Sequence, residues 1–225
     1  MKIGIIGCGW LGKPLAKHLR LTHQVSCFSR EHTPNEFWDN ELFIIAISTK
    51  DNYLSSIKNF LSHINPKASI ILMSSTSVYK EFDEEVNEET KISQTSLQTE
   101  AEELVLQNRS HVLILRLGGL MGEDRIAGKW KSISTFTDSP VNYIHQEDIL
   151  HIVAKLIHQE IKTGIYNLVA PLHPLRSEVH KKNSEDFGFE LGKFEGLSHR
   201  IVNGDKIFQT LDYKFKHPNP LEFWK

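Results

Sequence analysis

Six residues near the start of the chain narrow the possible folds more than any other feature. Gly7-Cys8-Gly9-Trp10-Leu11-Gly12 follows a short apolar run at residues 3–6 and opens a stretch in which Leu11, Leu15 and Leu19 recur every four residues. A strand that passes through a glycine-rich turn into an amphipathic helix is the opening of a dinucleotide-binding βαβ unit. Gly7 permits the tight turn, Gly9 lets the backbone approach a pyrophosphate with no Cβ in the way, and Gly12 allows close packing of helix on strand. The amino end of the helix then faces the phosphates, so Gly7, Gly9, Trp10, Leu11 and Gly12 are the expected contacts.

Unalternated apolar runs recur at residues 25–28, 42–47, 69–73, 112–117 and 165–169, the pattern of strands buried on both faces. Between several of them lie helical spacings: Leu54, Ile57, Leu61, Ile64; Leu97, Ala101, Leu104, Val105; and Ile149, Ile152, Val153, Leu156, Ile157. Strand and helix in alternation predict an α/β fold, a Rossmann-type doubly wound parallel sheet, with a small C-terminal lobe on the substrate side. The expected division is a nucleotide-binding domain over residues 1–170, of which 118–146 contribute to the smaller lobe, and the lobe proper at 171–225. The connection at 31–41 lacks a helical period and is expected to be a loop or a short helix. Residues 80–96, rich in acidic side chains, read as a long solvated loop.

Charge and cysteine usage exclude several functions. With 26 Lys+Arg against 28 Asp+Glu there is no basic surplus for nucleic acid, whose phosphates need one. The longest apolar run is six residues, 42–47, where a membrane span needs about 20. A cytoplasmic protein follows, and in a reducing compartment Cys8 and Cys27, the only two cysteines, are expected as free thiols. None of the 12 histidines forms a short metal-ligand motif, so no metal is expected.

The end of the second strand speaks to the cofactor. An NAD-preferring site carries Asp or Glu there to bind the ribose 2′-hydroxyl, and a carboxylate repels a 2′-phosphate. This chain has Phe28-Ser29-Arg30, in which Ser29 can donate to a 2′-phosphate and Arg30 can pair with it. NADP(H) is therefore favoured over NAD(H); the alternative has Glu31 taking the ribose and Arg30 in solvent.

Four further segments stand in order along the chain: Ser74-Ser75-Thr76-Ser77-Val78-Tyr79, Leu115-Arg116-Leu117-Gly118-Gly119-Leu120-Met121-Gly122, Val141-Asn142-Tyr143-Ile144-His145-Gln146-Glu147-Asp148 and Ile165-Tyr166-Asn167-Leu168. With the glycine loop they resemble the signature segments of the extended short-chain dehydrogenases/reductases, the NAD(P)-dependent epimerase/dehydratase family, over roughly residues 1–170. The resemblance implies that Ser75, four residues before Tyr79, stands in the place of the family's catalytic Ser/Thr. It also implies that Gly118 and Gly119 border the nicotinamide, that Ala46 to Ser48 border the adenosine side, and that Tyr79 is structural. The family often dimerises through the helices after its third and fourth strands, so a homodimer is a possible state.

One departure is decisive for chemistry. The residues four after the five tyrosines are Ile57, Asp83, Glu147, Ala170 and His217, so the family's YxxxK pair is missing. Where it should open the fifth helix the chain reads Ser93-Gln94-Thr95-Ser96-Leu97-Gln98-Thr99-Glu100. General acid–base catalysis contributes about 10²–10⁴-fold. Tyr143 and His145, at the junction with the smaller lobe, are the remaining candidates for moving a proton, although His145 and Asp148 also flank a helix start. The leading expectation is an atypical NADP(H)-dependent oxidoreductase or epimerase-like enzyme acting on an unknown small polar substrate. The rival is a catalytically silent NADP(H)-binding sensor or regulator. A hydroxyacid or imine dehydrogenase shares the glycine loop but needs a long helical C-terminal domain, for which the 55 residues after 170 are too few.

Overall fold

The computed structural model describes residues 1–29, 33–49, 52–130 and 135–224. Six strands form one parallel sheet: β1 (Lys2–Ile6), β2 (Gln24–Cys27), β3 (Leu42–Ile45), β4 (Ser69–Ser75), then, past a short strand β5 (Glu85–Val86), β6 (Val112–Leu117), and finally β10 (Gly164–Leu168). Their order across the sheet is β10-β6-β4-β3-β1-β2, which leaves β2 and β10 as its edges. Each strand lies within a residue or two of an apolar run, and the expected α/β architecture is the one that forms. Four helices accompany the sheet: α1 (Gly12–Leu19), α2 (Tyr53–His63), α3 (Leu97–Asn108) and α4 (Gln146–His158).

Two compact units make up the chain. The first comprises Met1–Val78, Ile92–Arg116 and Ile152–Tyr166, and the second Tyr79–Lys91, Leu117–His151 and Asn167–Lys225. In the first unit, Ile6, Phe43, Ile45, Ile70, Leu72, Val112 and Ile114 point to one face of the sheet and pack on Ile57 and Phe60 of α2 and Ala101 and Val105 of α3. The alternate residues Ile3, Ile5, Ile44, Ile71, Leu113 and Leu115 are buried as well, which is why these strands do not alternate in sequence.

Among its described residues, the connection from β2 to β3 holds no α-helix, only a 3-10 turn at Asn35–Asp39, in keeping with the loop or short helix expected there. Aromatic rings cover the sheet in its place. Phe28 lies 5.9 Å from Phe37, 5.8 Å from Trp38 and 5.2 Å from Phe60, and Phe37 packs edge-on against Phe43 at 5.6 Å. Large flat side chains bury more area per residue than aliphatic ones, so a single turn suffices. At the sheet edge, Arg20 Nε donates to the Val25 carbonyl of β2.

Unit two is built from short pieces: β7 (Gly119–Met121) pairs with β9 (Tyr143–His145), β8 (Thr135–Asp138) with β11 (Lys193–Leu197), and β5 with β12 (Ile201–Val202). Helices α5 (Arg176–Phe187) and α6 (Asp205–Leu211) belong to it too. The acidic stretch expected as a solvated loop is partly ordered within this unit. It contributes β5, and Asp83 accepts from the His199 N–H while Glu88 accepts from the Asn167 N–H. No helix among the described residues is long and apolar enough to cross a membrane.

Candidate functional site

Because the sheet is parallel, the carboxyl ends of β1, β2, β3 and β4 lie along one edge of the first unit. The chain leaves β1 for β2 on one side and returns to β3 on the other, which opens a crevice at the end of β1, where ligands bind in such sheets. The glycine loop fills that position. Gly7 has φ +103°, a conformation that side chains rarely adopt, and a Cβ on it would lie 2.4 Å from the Ala46 carbonyl oxygen. At Gly12 a Cβ would lie 2.2 Å from the Gly7 carbonyl oxygen. Gly9 differs: it is exposed, and beyond its chain neighbours a Cβ there meets no atom within 4 Å. Folding explains the first and third glycines and leaves the second unexplained. Leu11 is buried at the N-cap of α1 and supplies no side-chain hydrogen bond, so no side chain caps that helix end. Trp10 lies half-buried beside it.

Ser29 lies exposed just past β2, where its N–H donates to Thr33 Oγ1. Arg30 and Glu31, the two candidates for reading the 2′ position, lie outside the described residues. Ala46 is half-buried against the glycine loop and Ser48 is exposed beyond it. Ser75, the last residue of β4, accepts from the Ser77 N–H at 3.1 Å, which leaves its own hydroxyl proton to give.

The expectation of free thiols is corrected here. Cys8, in the glycine loop, and Cys27, the last residue of β2, are joined in a disulfide with their Cα atoms 6.1 Å apart. The parallel register sets Ile5 beside Cys27, so the turn after β1 carries Cys8 directly over the end of β2. Spacing along the chain does not reveal that register.

The other sequence candidates fall in the second unit. Gly118 and Gly119 have packing reasons to be glycine, since a Cβ would lie 2.4 Å from the Asn142 carbonyl oxygen at the first and 2.6 Å from the Tyr143 ring at the second. Tyr143 is buried, and its hydroxyl lies 3.3 Å from His180 Nε2. Burial pushes its pKa up against the opposing pull of Arg176, so it is no ionised tyrosine. His145 is buried at the end of β9, its Nδ1 accepting from the Glu147 N–H. Burial first, then the neighbouring His217 ring at 3.7 Å, pull His145 down to about 4. It is therefore a neutral, weak base at pH 7.

His180 behaves alike, pulled down to about 4 by burial and then by Arg176. Unfolded histidine titrates near 6.5, so between about pH 4 and 6.5 the unfolded chain binds more protons. Stability contributed by His145 and His180 is full above that window and falls as the pH drops through it, by roughly 1 kcal/mol per pH unit for each. His180→Gln is expected to remove its own share of that slope, as read from urea unfolding between neutral and acid pH.

Sequence reasoning missed two clusters. Glu102 of α3 and Arg116 of β6 form an ion pair at 2.7 Å, with Ser74 donating to the same carboxylate, all three buried. In the second unit, fully buried Asp148 accepts from the Tyr213 hydroxyl and from the backbone N–H groups of Lys216 and His217. Beside it, Glu147 accepts from Lys216 Nζ and from His217 Nε2. Burial alone would raise Glu147, yet these hydrogen bonds outweigh it and hold the carboxyl at about 2. His145, Glu147 and His217 are close enough together to hold a metal, but Glu147 is already spent on the C-terminal segment. Asp148 at the helix start was legible; its partners almost 70 residues on were not.

A parallel six-stranded sheet with its glycine loop at the end of β1 makes this an α/β protein with the fold of the NAD(P)-binding epimerases/dehydratases and short-chain dehydrogenases/reductases. No family model matches the chain. Among curated proteins, Protein YeeZ of Escherichia coli (strain K12) is 27% identical, with 98% of this chain and 97% of YeeZ aligned. Among solved structures, a Methylobacillus flagellatus protein classed as an NAD-dependent epimerase/dehydratase superposes with a TM-score of 0.79 at 20% identity, covering 99% of this chain and 95% of that one. The UDP-glucuronic acid 4-epimerase of Bacillus cereus, in complex with NAD, gives 0.77 at 14% identity over 100% and 97%. A human epimerase family protein with NADPH gives 0.74 at 13% identity over 99% and 97%.

Proposed function

We propose that the protein is an atypical extended short-chain dehydrogenase/reductase that binds a nicotinamide dinucleotide at the carboxyl edge of its six-stranded sheet, NADP(H) in preference to NAD(H). The observation that carries this reading is Gly9, whose missing side chain leaves open space that nothing in the protein itself requires. The loop amides and the uncapped start of α1 favour a pyrophosphate there, and Ser29 with Arg30 favours a 2′-phosphate over a bare ribose. When bound, the nicotinamide gives or takes a hydride. Ser75, whose Oγ accepts from the Ser77 N–H and keeps its own proton to give, donates to the reacting oxygen in this reading. Residues 118–146 and 171–225 serve as the substrate side, for a small polar molecule. Tyr143 and His145 are protonation candidates only in a form of the site less buried than this one.

A silent sensor is the second reading. It is favoured by the segment where a Tyr–Lys pair would stand, which serves instead as a capping box: Ser96 accepts from the Thr99 N–H and Thr99 accepts from the Ser96 N–H.

Calorimetric titration with NADPH and NADH tests the binding reading. Loss of one charge-assisted phosphate contact in Arg30→Ala should weaken NADPH by about 1.5–3 kcal/mol and leave NADH nearly unchanged. Tighter NADH than NADPH in the parent overturns the preference, and binding of neither overturns the function. A substrate screen followed by NADPH absorbance separates enzyme from sensor, since only the enzyme turns over.

A further inference from the structure

We infer that the Cys8–Cys27 pair couples the nucleotide site to thiol–disulfide state, the bridged form holding NADP(H) more tightly than the dithiol form. This rests on the reading that the sheet edge binds a dinucleotide.

The pair joins the two arms that such a ligand would span. Cys8 stands between Gly7 and Gly9, the residues of the pyrophosphate turn, and Cys27 closes β2 immediately before Phe28-Ser29 at the 2′ end of the site. Among the described residues, the last ladder bond between these arms runs from the Phe28 N–H to the Ile5 carbonyl at 2.8 Å. Beyond it the disulfide is their covalent tie. Cys27 leaves the cradle clear, because apart from the neighbouring Cys8 and Trp10 no atom lies within 4 Å of a Cβ built on Gly9. A tie that fixes the separation of two binding arms without filling the space between them lowers the ordering cost of binding, and affinity rises. Both cysteines are half-buried rather than sealed in the core, so small thiols can reach them.

The chemistry balances with a low-molecular-weight disulfide, RSSR, as oxidant. One cysteine thiolate attacks RSSR, forming a mixed disulfide and releasing RSH. The second cysteine then attacks the protein sulfur of that mixed disulfide, closing Cys8–Cys27 and releasing a second RSH. Two electrons pass from the pair to the small disulfide, and the two thiol protons end on the two RSH molecules. A dithiol reductant runs the exchange backwards.

The test compares the intact protein after oxidised glutathione with the same protein after a dithiol reductant, counting free thiols by alkylation and mass spectrometry and measuring NADPH affinity by calorimetry. The reduced protein should bind about tenfold more weakly. The double variant Cys8→Ser, Cys27→Ser should match the reduced protein after either treatment. Equal affinity at different thiol counts overturns the coupling, as do tighter binding by the dithiol form, a thiol count that neither treatment changes, or a redox effect that survives in the double variant. If both forms bind NADPH equally, only this inference falls; if neither form binds NADPH or NADH, the proposed function falls with it.

Discussion

Glu102→Ala should destabilise the protein by about 3–5 kcal/mol, the cost of taking the carboxylate away from a buried charge pair. The guanidinium of Arg116 meets both oxygens of the Glu102 carboxylate, Nε at 3.1 and 3.2 Å and Nη2 at 2.7 Å, and the two residues are 5% and 4% exposed. Water cannot take the place of the lost carboxylate at such burial, and Ser74 loses its acceptor as well. A domain of this kind has about 5–15 kcal/mol in total, so the loss should be plain in a urea midpoint. Pairing Glu102→Leu with Arg116→Met removes both charges and should restore much of it. A single variant that lost less than about 1 kcal/mol would place the pair in contact with solvent.

Gly9→Ala should sever ligand binding from folding. The melting temperature without ligand is expected to stay near that of the parent, because the new methyl meets nothing. A methyl forced into a packed contact costs about 1–3 kcal/mol. Taken out of NADPH binding, that is a loss of roughly 5- to 150-fold in affinity. Gly12→Ala is the mirror experiment: its Cβ would lie 2.2 Å from a backbone oxygen of Gly7, so stability should drop before any ligand is added. Unchanged NADPH affinity in Gly9→Ala would reduce the loop to a turn.

The parts of the fold written in the sequence are those whose cause is local. Strands buried on both faces appear as unbroken apolar runs, and α1 to α4 as three- and four-residue spacings. The smaller lobe was expected, but its strands escaped notice because they are two to five residues long and many of their residues are exposed. Helix α5 escaped because only Val179 among its buried residues is aliphatic, the others being His180 and Asn183. Across-chain pairings were invisible for another reason. Cys8 meets Cys27 through strand register, Arg116 meets Glu102 across a sheet–helix contact, and His217 reaches Glu147 from a segment 70 residues away. Within the candidate site, the glycine spacing announced the loop, whereas the difference between Gly9 and its neighbours needed coordinates.

The position of β2 at the rim of the sheet bears on how this molecule behaves in a crowded solution. An open strand edge is a template on which another chain can add a strand, the first step of ordered aggregation. This rim offers little to copy: it is four residues long, it is pinned at its far end to the glycine loop, and the Arg20 side chain occupies the Val25 carbonyl. An incoming strand would have to evict a charged side chain to gain a short ladder, so the strand that carries one end of the candidate site also resists strand addition at its own edge of the sheet.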